Sequence, residues 1–239
     1  MIIAGLEKLS LIDYPNHLSA IVFTQGCNFR CHYCYNPMLV WPKRTDNGKY
    51  GQEGSPYISE ESLLSFLKER QGKLNGVVIT GGEPTLHKDL PSFIEKIRKL
   101  GYDIKLDTNG TNPNLLKKLI EDKLLDYIAM DFKAPISSYQ EVVNVELDFL
   151  NIKKSAKIIR ESGLDYEFRT TVVPQLIDKA KIEEMGKLLQ GSEKWFLQKF
   201  KSETDLINDK YRNLRSYNDK EMDELVKVAK KYVNLVKWR

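Results

Sequence analysis

Three cysteines lie in one short stretch, Thr24–Pro37, and the chain contains no others: Cys27, Cys31 and Cys34. Their C-x₃-C-x₂-C spacing suits three thiolates that hold a four-iron, four-sulfur cluster. Such a cluster normally takes four cysteines, so one iron is left for a small molecule to bind. An open coordination position distinguishes a reactive metal site from a structural one. The spacing therefore predicts a reactive iron–sulfur site.

Two other interpretations of the cysteines stay open. A zinc site would use the three thiols and His32, although Cys31 and His32 are adjacent and zinc ligands usually have two or more residues between them. Ordinary buried thiols are the other interpretation, but they have no reason to cluster in this way. A disulfide would use two of the three thiols and leave one unpaired. His32 is predicted to be a packing or hydrogen-bonding residue and not a ligand.

Strand-like and helix-like segments alternate along the chain, which predicts the elements that must position these cysteines. The predicted strands are residues 18–24, 76–80, 103–107, 126–132, 165–173 and 194–200. The predicted helices are residues 60–71 with Ser59 as N-cap, 89–100, 112–122, 150–162, 179–189 and 220–236. Six strands separated by helices predict an α/β fold with a parallel sheet. Binding groups in such sheets lie at the carboxyl ends of the strands.

A Gly-Gly-Glu-Pro sequence follows the second predicted strand. Gly81 and Gly82 lack a Cβ, so the backbone there can approach a ligand closely. Glu83 places a carboxylate at the strand end, which suits an ammonium group. The alternative is an ordinary strand-to-helix turn with a helix cap.

Polar groups also end the third and fourth predicted strands. Asp107 and Asn109 belong to Asp-Thr-Asn-Gly, which offers groups that suit a ribose diol. The alternative is a turn, since Asn-Gly is a common turn pair. Asp131 and Lys133 are two residues apart and share one face of a strand, where Lys133 can neutralise a carboxylate. The alternative is a structural ion pair.

Composition indicates a globular protein of mild positive charge. Hydrophobic residues make up 41% of the 239 residues and charged residues 29%, with a net charge of +4. The charge excess is spread along the chain, which does not favour nucleic acid or a membrane surface as a partner. The N-terminal sequence lacks a signal-peptide pattern, and no apolar run reaches the length of a membrane span. We therefore expect a cytoplasmic protein, in a compartment where thiols stay reduced.

The chain is expected to form a single domain of residues 1–239. Its core is predicted to span residues 15–205, and residues 206–239 form a C-terminal extension with an amphipathic helix. Gly48–Pro56 is predicted to be a surface excursion, because it is rich in glycine and polar residues.

These motifs together resemble those of the radical S-adenosylmethionine enzymes. The cysteine spacing, the aromatic Tyr33 before the last cysteine and the Gly-Gly-Glu-Pro sequence carry the resemblance. Further stretches are similar to the branch that activates glycyl-radical enzymes, and in particular to activating proteins of anaerobic ribonucleoside-triphosphate reductases: residues 12–15, 22–31, 105–110 and 129–135. The resemblance implies a partial (β/α)₆ barrel with parallel strands.

The resemblance also implies roles for individual residues. Three residues would bind irons: Cys27, Cys31 and Cys34. Nine residues would contact S-adenosylmethionine: Tyr33 near the adenine; Gly81, Gly82 and Glu83 at the amino group; Asp107, Asn109 and Gln198 at the ribose; Asp131 and Lys133 at the carboxylate. The Gln198 role departs from the pyruvate formate-lyase activases, which carry a Tyr-His pair on this late strand. No side chain is assigned as a general acid or base, since the cofactor carries the radical chemistry.

The implied reaction is reductive cleavage of S-adenosylmethionine to a 5′-deoxyadenosyl radical, which removes a Cα hydrogen from a glycine of a partner enzyme. The partner would be a glycyl-radical enzyme, namely anaerobic ribonucleotide reductase, and a flavodoxin or ferredoxin would supply electrons. Two alternatives stay open beside the zinc-stabilised module. One is a radical enzyme acting on a small molecule, of the carboxy-deazaguanine synthase type, and the other is an iron–sulfur electron carrier without catalytic activity.

Overall fold

The structure is a computed structural model that describes residues 1–41 and 57–239, so the predicted excursion of residues 48–56 lies outside the described residues. The chain divides into two compact units: Met1–Asn28, Met38–Thr108 and Asn114–Ile128 form the first, and Phe29–Pro37, Asn109–Pro113 and Ala129–Arg239 the second. The domain organisation given above stays a prediction. Within the described residues, every helix is too short or too polar to cross a bilayer.

The first unit contains the strands that lead into the cysteine loop and the glycine turn. From the N-terminus its elements are β1 (Ile3–Ser10), β2 (Ser19–Thr24), the short α1 (Pro37–Val40), α2 (Glu60–Glu69), β3 (Gly76–Gly81), a 3₁₀ turn (Pro84–Leu86), α3 (Leu90–Arg98), β4 (Asp103–Thr108) and α4 (Pro113–Glu121). β1 is antiparallel to β2, whereas β2, β3 and β4 are parallel neighbours. Ser19 lies opposite Gly76, and Thr24 opposite Gly81. The loops after β2 and β3 therefore leave the sheet at the same edge.

The second unit continues the alternation of strands and helices. β5 (Tyr127–Asp131) passes from the first unit into the second. The later elements are a 3₁₀ turn (Ile136–Ser138), α5 (Tyr139–Val143), α6 (Phe149–Glu161), β6 (Asp165–Val172), α7 (Lys179–Leu188), β7 (Lys194–Lys199), a 3₁₀ turn (Asp209–Tyr211), α8 (Asp219–Ala229) and β8 (Leu235–Trp238). β6, β7 and β8 are parallel neighbours. The backbone N–H of Phe132 donates to the carbonyl of Arg169 at 2.8 Å, which joins the end of β5 to β6.

The local sequence explains why β3 is a buried strand and where two of the helices begin. The buried run Val77–Ile79 is β-branched, as expected for a central strand. Ser59 caps α2, since its hydroxyl accepts from the Ser62 N–H at 3.1 Å. Asn218 and Glu221 form a capping box that begins α8.

The predicted α/β class with mainly parallel strands is confirmed, and the six predicted strands match to within two residues at each end. Two strands were not predicted, β1 and β8. The predicted helix over residues 220–236 is wrong in its last third, because α8 ends at Ala229 and Val236 lies in β8 opposite Trp195. The Asn234 N–H donates to the Ser192 carbonyl at 3.1 Å, which turns the chain towards strand pairing.

Candidate functional site

The loop after β2 is fixed by backbone hydrogen bonds to the short helix α1. The Gly26 N–H donates to the Leu39 carbonyl at 2.7 Å, and the Cys27 N–H donates to the Val40 carbonyl at 3.1 Å. Gly26 has a φ of +94°, a conformation that glycine adopts without the penalty of a Cβ. The hydrogen bonds to α1 therefore fix the backbone at Gly26 and Cys27, and with it the position of the half-buried Cys27.

The turn after β3 packs directly on this loop. A Cβ on Gly82 would lie 1.9 Å from the Gly26 carbonyl oxygen, and one on Gly81, at φ +115°, would lie 2.3 Å from the Thr24 nitrogen. The Glu83 N–H donates to the Gly26 carbonyl at 2.8 Å, and the Gly82 N–H donates to the Thr24 carbonyl at 2.9 Å. Glycine is thus required at both positions, because the backbone of the turn after β3 lies directly against the backbone of the loop after β2 and leaves no room for a Cβ.

Glu83 is buried, with 1% of its surface exposed. Its Oε1 accepts from the Thr85 N–H at 3.1 Å and from the Thr85 hydroxyl at 2.5 Å. The Thr108 hydroxyl, at the end of β4, donates to the same oxygen at 2.8 Å. Glu83 caps the 3₁₀ turn Pro84–Leu86, and its role towards an ammonium group stays a prediction. The contact with Thr108 joins two of the predicted motifs, and its spacing of 25 residues gave no signal in the sequence.

Asp107 lies in an ion pair with Lys105, which occupies the same face of β4 two residues earlier. Lys105 is 2% exposed, and its Nζ also lies 5.9 Å from the centroid of the Tyr127 ring. The aliphatic stem and the paired charge explain how a lysine is buried in this strand. The pair fixes the position of the Asp107 carboxylate.

In the second unit, Cys31 and Cys34 belong to one tight turn. The Cys34 N–H donates to the Cys31 carbonyl at 3.0 Å, and the Arg30 N–H donates to the Val143 carbonyl at 2.9 Å. Cys31 is buried and Cys34 is half-buried. Burial raises the pKa of the Cys34 thiol.

Tyr33, between these cysteines, is 4% exposed. Its hydroxyl has no hydrogen-bond partner among the described residues. Burial is the main cause of a pKa well above the usual range for tyrosine, and the nearby Lys133 opposes that shift. A buried hydroxyl without a partner costs free energy, which a bound ligand can recover.

Asp131 and Lys133 form an ion pair, and Arg169 joins them from β6. The Lys133 Nζ lies 3.1 Å from Asp131 Oδ2, and the Arg169 Nε lies 2.9 Å from Oδ1. Burial alone would raise the pKa of Asp131, but Arg169 and Lys133 lower it well below its usual range. Burial likewise opposes the charge of Lys133, yet Asp131 raises its pKa. Asp131 and Lys133 are therefore paired, Arg169 is a member that was not predicted, and the role of Lys133 towards a ligand carboxylate stays a prediction.

Asn109 follows β4, and Gln198 lies in β7. The Asn109 Oδ1 accepts from the N–H of Thr111 at 3.0 Å and from its hydroxyl at 2.7 Å, as in a turn, and its role at a ribose stays a prediction. Gln198 lies in β7 opposite Thr171 and is half-buried.

The three histidines are structural in different ways. His32 hydrogen-bonds Asn208 and stacks on Tyr211, which confirms its predicted packing role. His17 and His87, which were predicted to be surface residues, are both half-buried and make specific contacts. His17 stacks on Tyr14 with ring centroids 3.8 Å apart. The His87 Nε2 lies 3.0 Å from the Gln25 carbonyl, so His87 supports the loop that leads to Cys27.

The donor set fits an iron–sulfur cluster with S-adenosylmethionine. In the first unit, Gly81 and Gly82 pack on the loop that leads to the Cys27 thiol. In the second unit, one turn carries the thiols of Cys31 and Cys34 and the buried Tyr33, whose hydroxyl has no hydrogen-bond partner among the described residues. In residues 1–41 and 57–239, no group of three or more His, Cys, Asp or Glu side chains surrounds a point where one metal ion would sit. The assignment therefore rests on the loop and its donors.

Comparisons with known proteins point to the same chemistry. Residues 21–189 match the family described as the Radical SAM superfamily. A Methanocaldococcus jannaschii protein named "Putative glycyl-radical enzyme activating enzyme" is 35% identical over 240 residues, which cover 98% of this chain and 94% of that protein. The pyruvate formate-lyase-activating enzyme of Streptococcus mutans is 27% identical over 184 residues, which cover 74% of this chain and 67% of that enzyme.

A likeness among solved structures concerns the fold alone. The crystal structure of QueE from Escherichia coli superposes with a TM-score of 0.58 at 18% identity. The match covers 100% of this chain and 93% of that one.

Proposed function

This chain belongs to the Radical SAM superfamily, and on that premise we propose that it activates a glycyl-radical enzyme. Membership confirms the predicted radical-SAM core and the prediction of an enzyme, and members of the superfamily use a four-iron, four-sulfur cluster and S-adenosylmethionine. The observation that carries the proposal is the likeness to the M. jannaschii protein over 98% of this chain. That likeness includes the C-terminal segment as well as the core.

Cys27, Cys31 and Cys34 would hold the cluster, since the chain offers three thiols and no fourth. When bound, the cluster and S-adenosylmethionine, with an electron from an external donor, would supply the radical chemistry that removes a hydrogen atom from a glycine Cα of the partner. The residues of the chain would bind and orient the cofactor, and they would exclude water from the site. We propose a flavodoxin or ferredoxin as the electron donor and an anaerobic ribonucleoside-triphosphate reductase as the partner.

The glycine turn supports the assignment of the amino group of S-adenosylmethionine to Gly81, Gly82 and Glu83. The N–H groups of Gly82 and Glu83 already donate to Thr24 and Gly26. The Gly82 carbonyl oxygen accepts no hydrogen bond from the described residues. An ammonium group needs acceptors and not donors, so the turn suits it.

The buried charges support the assignment of the carboxylate to Lys133. The Lys133 Nζ lies 3.1 Å from Asp131 Oδ2, and the Arg169 Nε lies 2.9 Å from Oδ1 of the same carboxylate. The buried ammonium of Lys133 is a cation that can pair with a ligand carboxylate. Asp131 would then orient Lys133, and Arg169 would hold Asp131. We propose Tyr33 beside the adenine, and Asp107, Asn109 and Gln198 at the ribose.

Replacing Lys133 with methionine should weaken S-adenosylmethionine binding roughly ten- to hundredfold, because a hydrogen bond to a charged group contributes about 1.5–3 kcal/mol. Iron content should not change. Isothermal titration of the anaerobic, cluster-loaded protein measures the affinity. Lys179→Met is the matched control, since its Nζ pairs with Glu224 at 3.3 Å in solvent. Unchanged affinity, or loss of iron, would contradict the assignment of Lys133.

The proposed function predicts that cleavage of S-adenosylmethionine is coupled to a partner protein. Anaerobically reduced protein mixed with the reductase should form about one 5′-deoxyadenosine per partner glycine that becomes a radical. A reductase variant with this glycine replaced by alanine is the control. Continued turnover with a small molecule and no partner would support the small-molecule class instead.

A further inference from the structure

The cysteine turn of the second unit is held by a segment of the C-terminal extension. The Ile207 N–H donates to the Cys34 carbonyl at 3.1 Å, and the Asn208 N–H donates to the His32 carbonyl at 3.1 Å. Side chains add two more contacts to this backbone pairing. Asn208 Nδ2 lies 3.1 Å from His32 Nδ1, and the rings of His32 and Tyr211 stack at 5.5 Å with an interplanar angle of 15°.

The amide of Asn208 has one orientation that satisfies both of its neighbours. Its Oδ1 accepts from the Lys210 N–H at 3.0 Å, as the cap of the 3₁₀ turn Asp209–Tyr211. The Nδ2 group must therefore donate to His32 Nδ1, because an amide nitrogen cannot accept. The Asn208 side chain thus connects the 3₁₀ turn of the C-terminal segment to His32 in the cysteine turn.

The segment has its own anchor in the second unit. Leu206, immediately before it, is 6% exposed. The Asn213 N–H, just after it, donates to the carbonyl of the buried Ser202 at 3.2 Å. A segment anchored at both ends can constrain a turn that it contacts, whereas a free tail would follow the turn's motion.

We propose that Ile207–Tyr211 is a clasp that holds the cysteine turn in its cluster-binding conformation and so determines how long the cluster is retained. The proposal rests on the proposed function only in taking Cys31 and Cys34 as iron ligands. Asn208, His32 and Tyr211 are positioning residues that act through the turn. They need no contact with iron or S-adenosylmethionine.

The test compares Asn208→Ser with Asn208→Ala and the wild type. A serine at this position still caps the 3₁₀ turn but is too short to reach His32. Asn208→Ser therefore removes only the side-chain contact with the cysteine turn. Iron release from the reconstituted protein to a chelator, without oxygen, should be roughly five- to tenfold faster in both variants. Tyr211→Phe should release iron at the wild-type rate because the stacked ring remains. Asp205→Ala, which removes an exposed ion pair with Arg212 at 2.7 Å, is the control beside the same segment.

Hydrogen exchange on the metal-free proteins separates this proposal from the proposed function. The peptide over residues 29–36 should lose protection in Asn208→Ser and keep it in Asp205→Ala. Equal iron release and equal protection in all variants would overturn the clasp. Loss of S-adenosylmethionine cleavage by wild-type protein would instead overturn the proposed function, and the exchange result would still decide the clasp.

Discussion

Replacing Cys31 with alanine should abolish both iron binding and cleavage of S-adenosylmethionine. Wild-type protein reconstituted without oxygen should hold about four irons per chain, and the variant close to none, because two thiolates do not retain a cluster of this type. Iron analysis and chromatography of 5′-deoxyadenosine measure the two effects. Cys31 is buried, so its replacement also leaves a small cavity.

Val143→Ala controls for that cavity. Val143 is buried in the same unit, and its carbonyl, which accepts from the Arg30 N–H at 2.9 Å, survives the substitution. We expect this control to keep its iron at some cost in stability. Cleavage that continues in Cys31→Ala at the wild-type rate would refute the three-thiolate site.

Replacing Gly82 with alanine should be nearly as damaging, although Gly82 carries no functional group. Its Cβ would lie 1.9 Å from the Gly26 carbonyl oxygen and 2.9 Å from that of Leu39, and both are backbone atoms. The loop that leads to Cys27 must therefore move. We expect a loss of about 1–3 kcal/mol in the free energy of unfolding, and reduced iron binding.

Gly5→Ala is the matched control for Gly82→Ala. A Cβ on Gly5 would lie 3.6 Å from Phe23, an ordinary contact, in a strand of the same unit. Denaturant unfolding of the metal-free proteins, with iron content measured after reconstitution, compares the two variants. Equal stability and equal iron content in both would mean that the close approach of the glycine turn to the loop is not required.

The sequence predicted the parts of the fold that local patterns determine. The strand β3 and its turn were predicted because a β-branched run ends in two glycines. The end of α8 was not, since Val233 and Val236 continue the helical spacing of apolar residues while pairing with β7 makes Val236 part of a strand. β1 was missed because residues 7–9 of this antiparallel edge strand are exposed and the strand shows no clear alternation.

In the site, too, contacts between residues close in sequence were predicted, whereas contacts between residues far apart in sequence were missed. Asp131 and Lys133 were predicted together because they alternate on one strand, and the structure pairs them at 3.1 Å. Arg169 was missed because its partner Asp131 lies 38 residues earlier and only the folded strands bring them within 2.9 Å. The contact between Thr108 and Glu83 was missed for the same reason.

The central claim is that this chain generates a radical on a glycine of another protein, and electron paramagnetic resonance tests it most directly. Reduced, cluster-loaded protein is mixed with S-adenosylmethionine and the anaerobic reductase, and the spectrum is recorded after freezing. We expect a glycine-centred doublet that collapses to a singlet when the partner's glycine carries deuterium at Cα. Full consumption of S-adenosylmethionine with no such signal, for any glycyl-radical enzyme supplied, would contradict it.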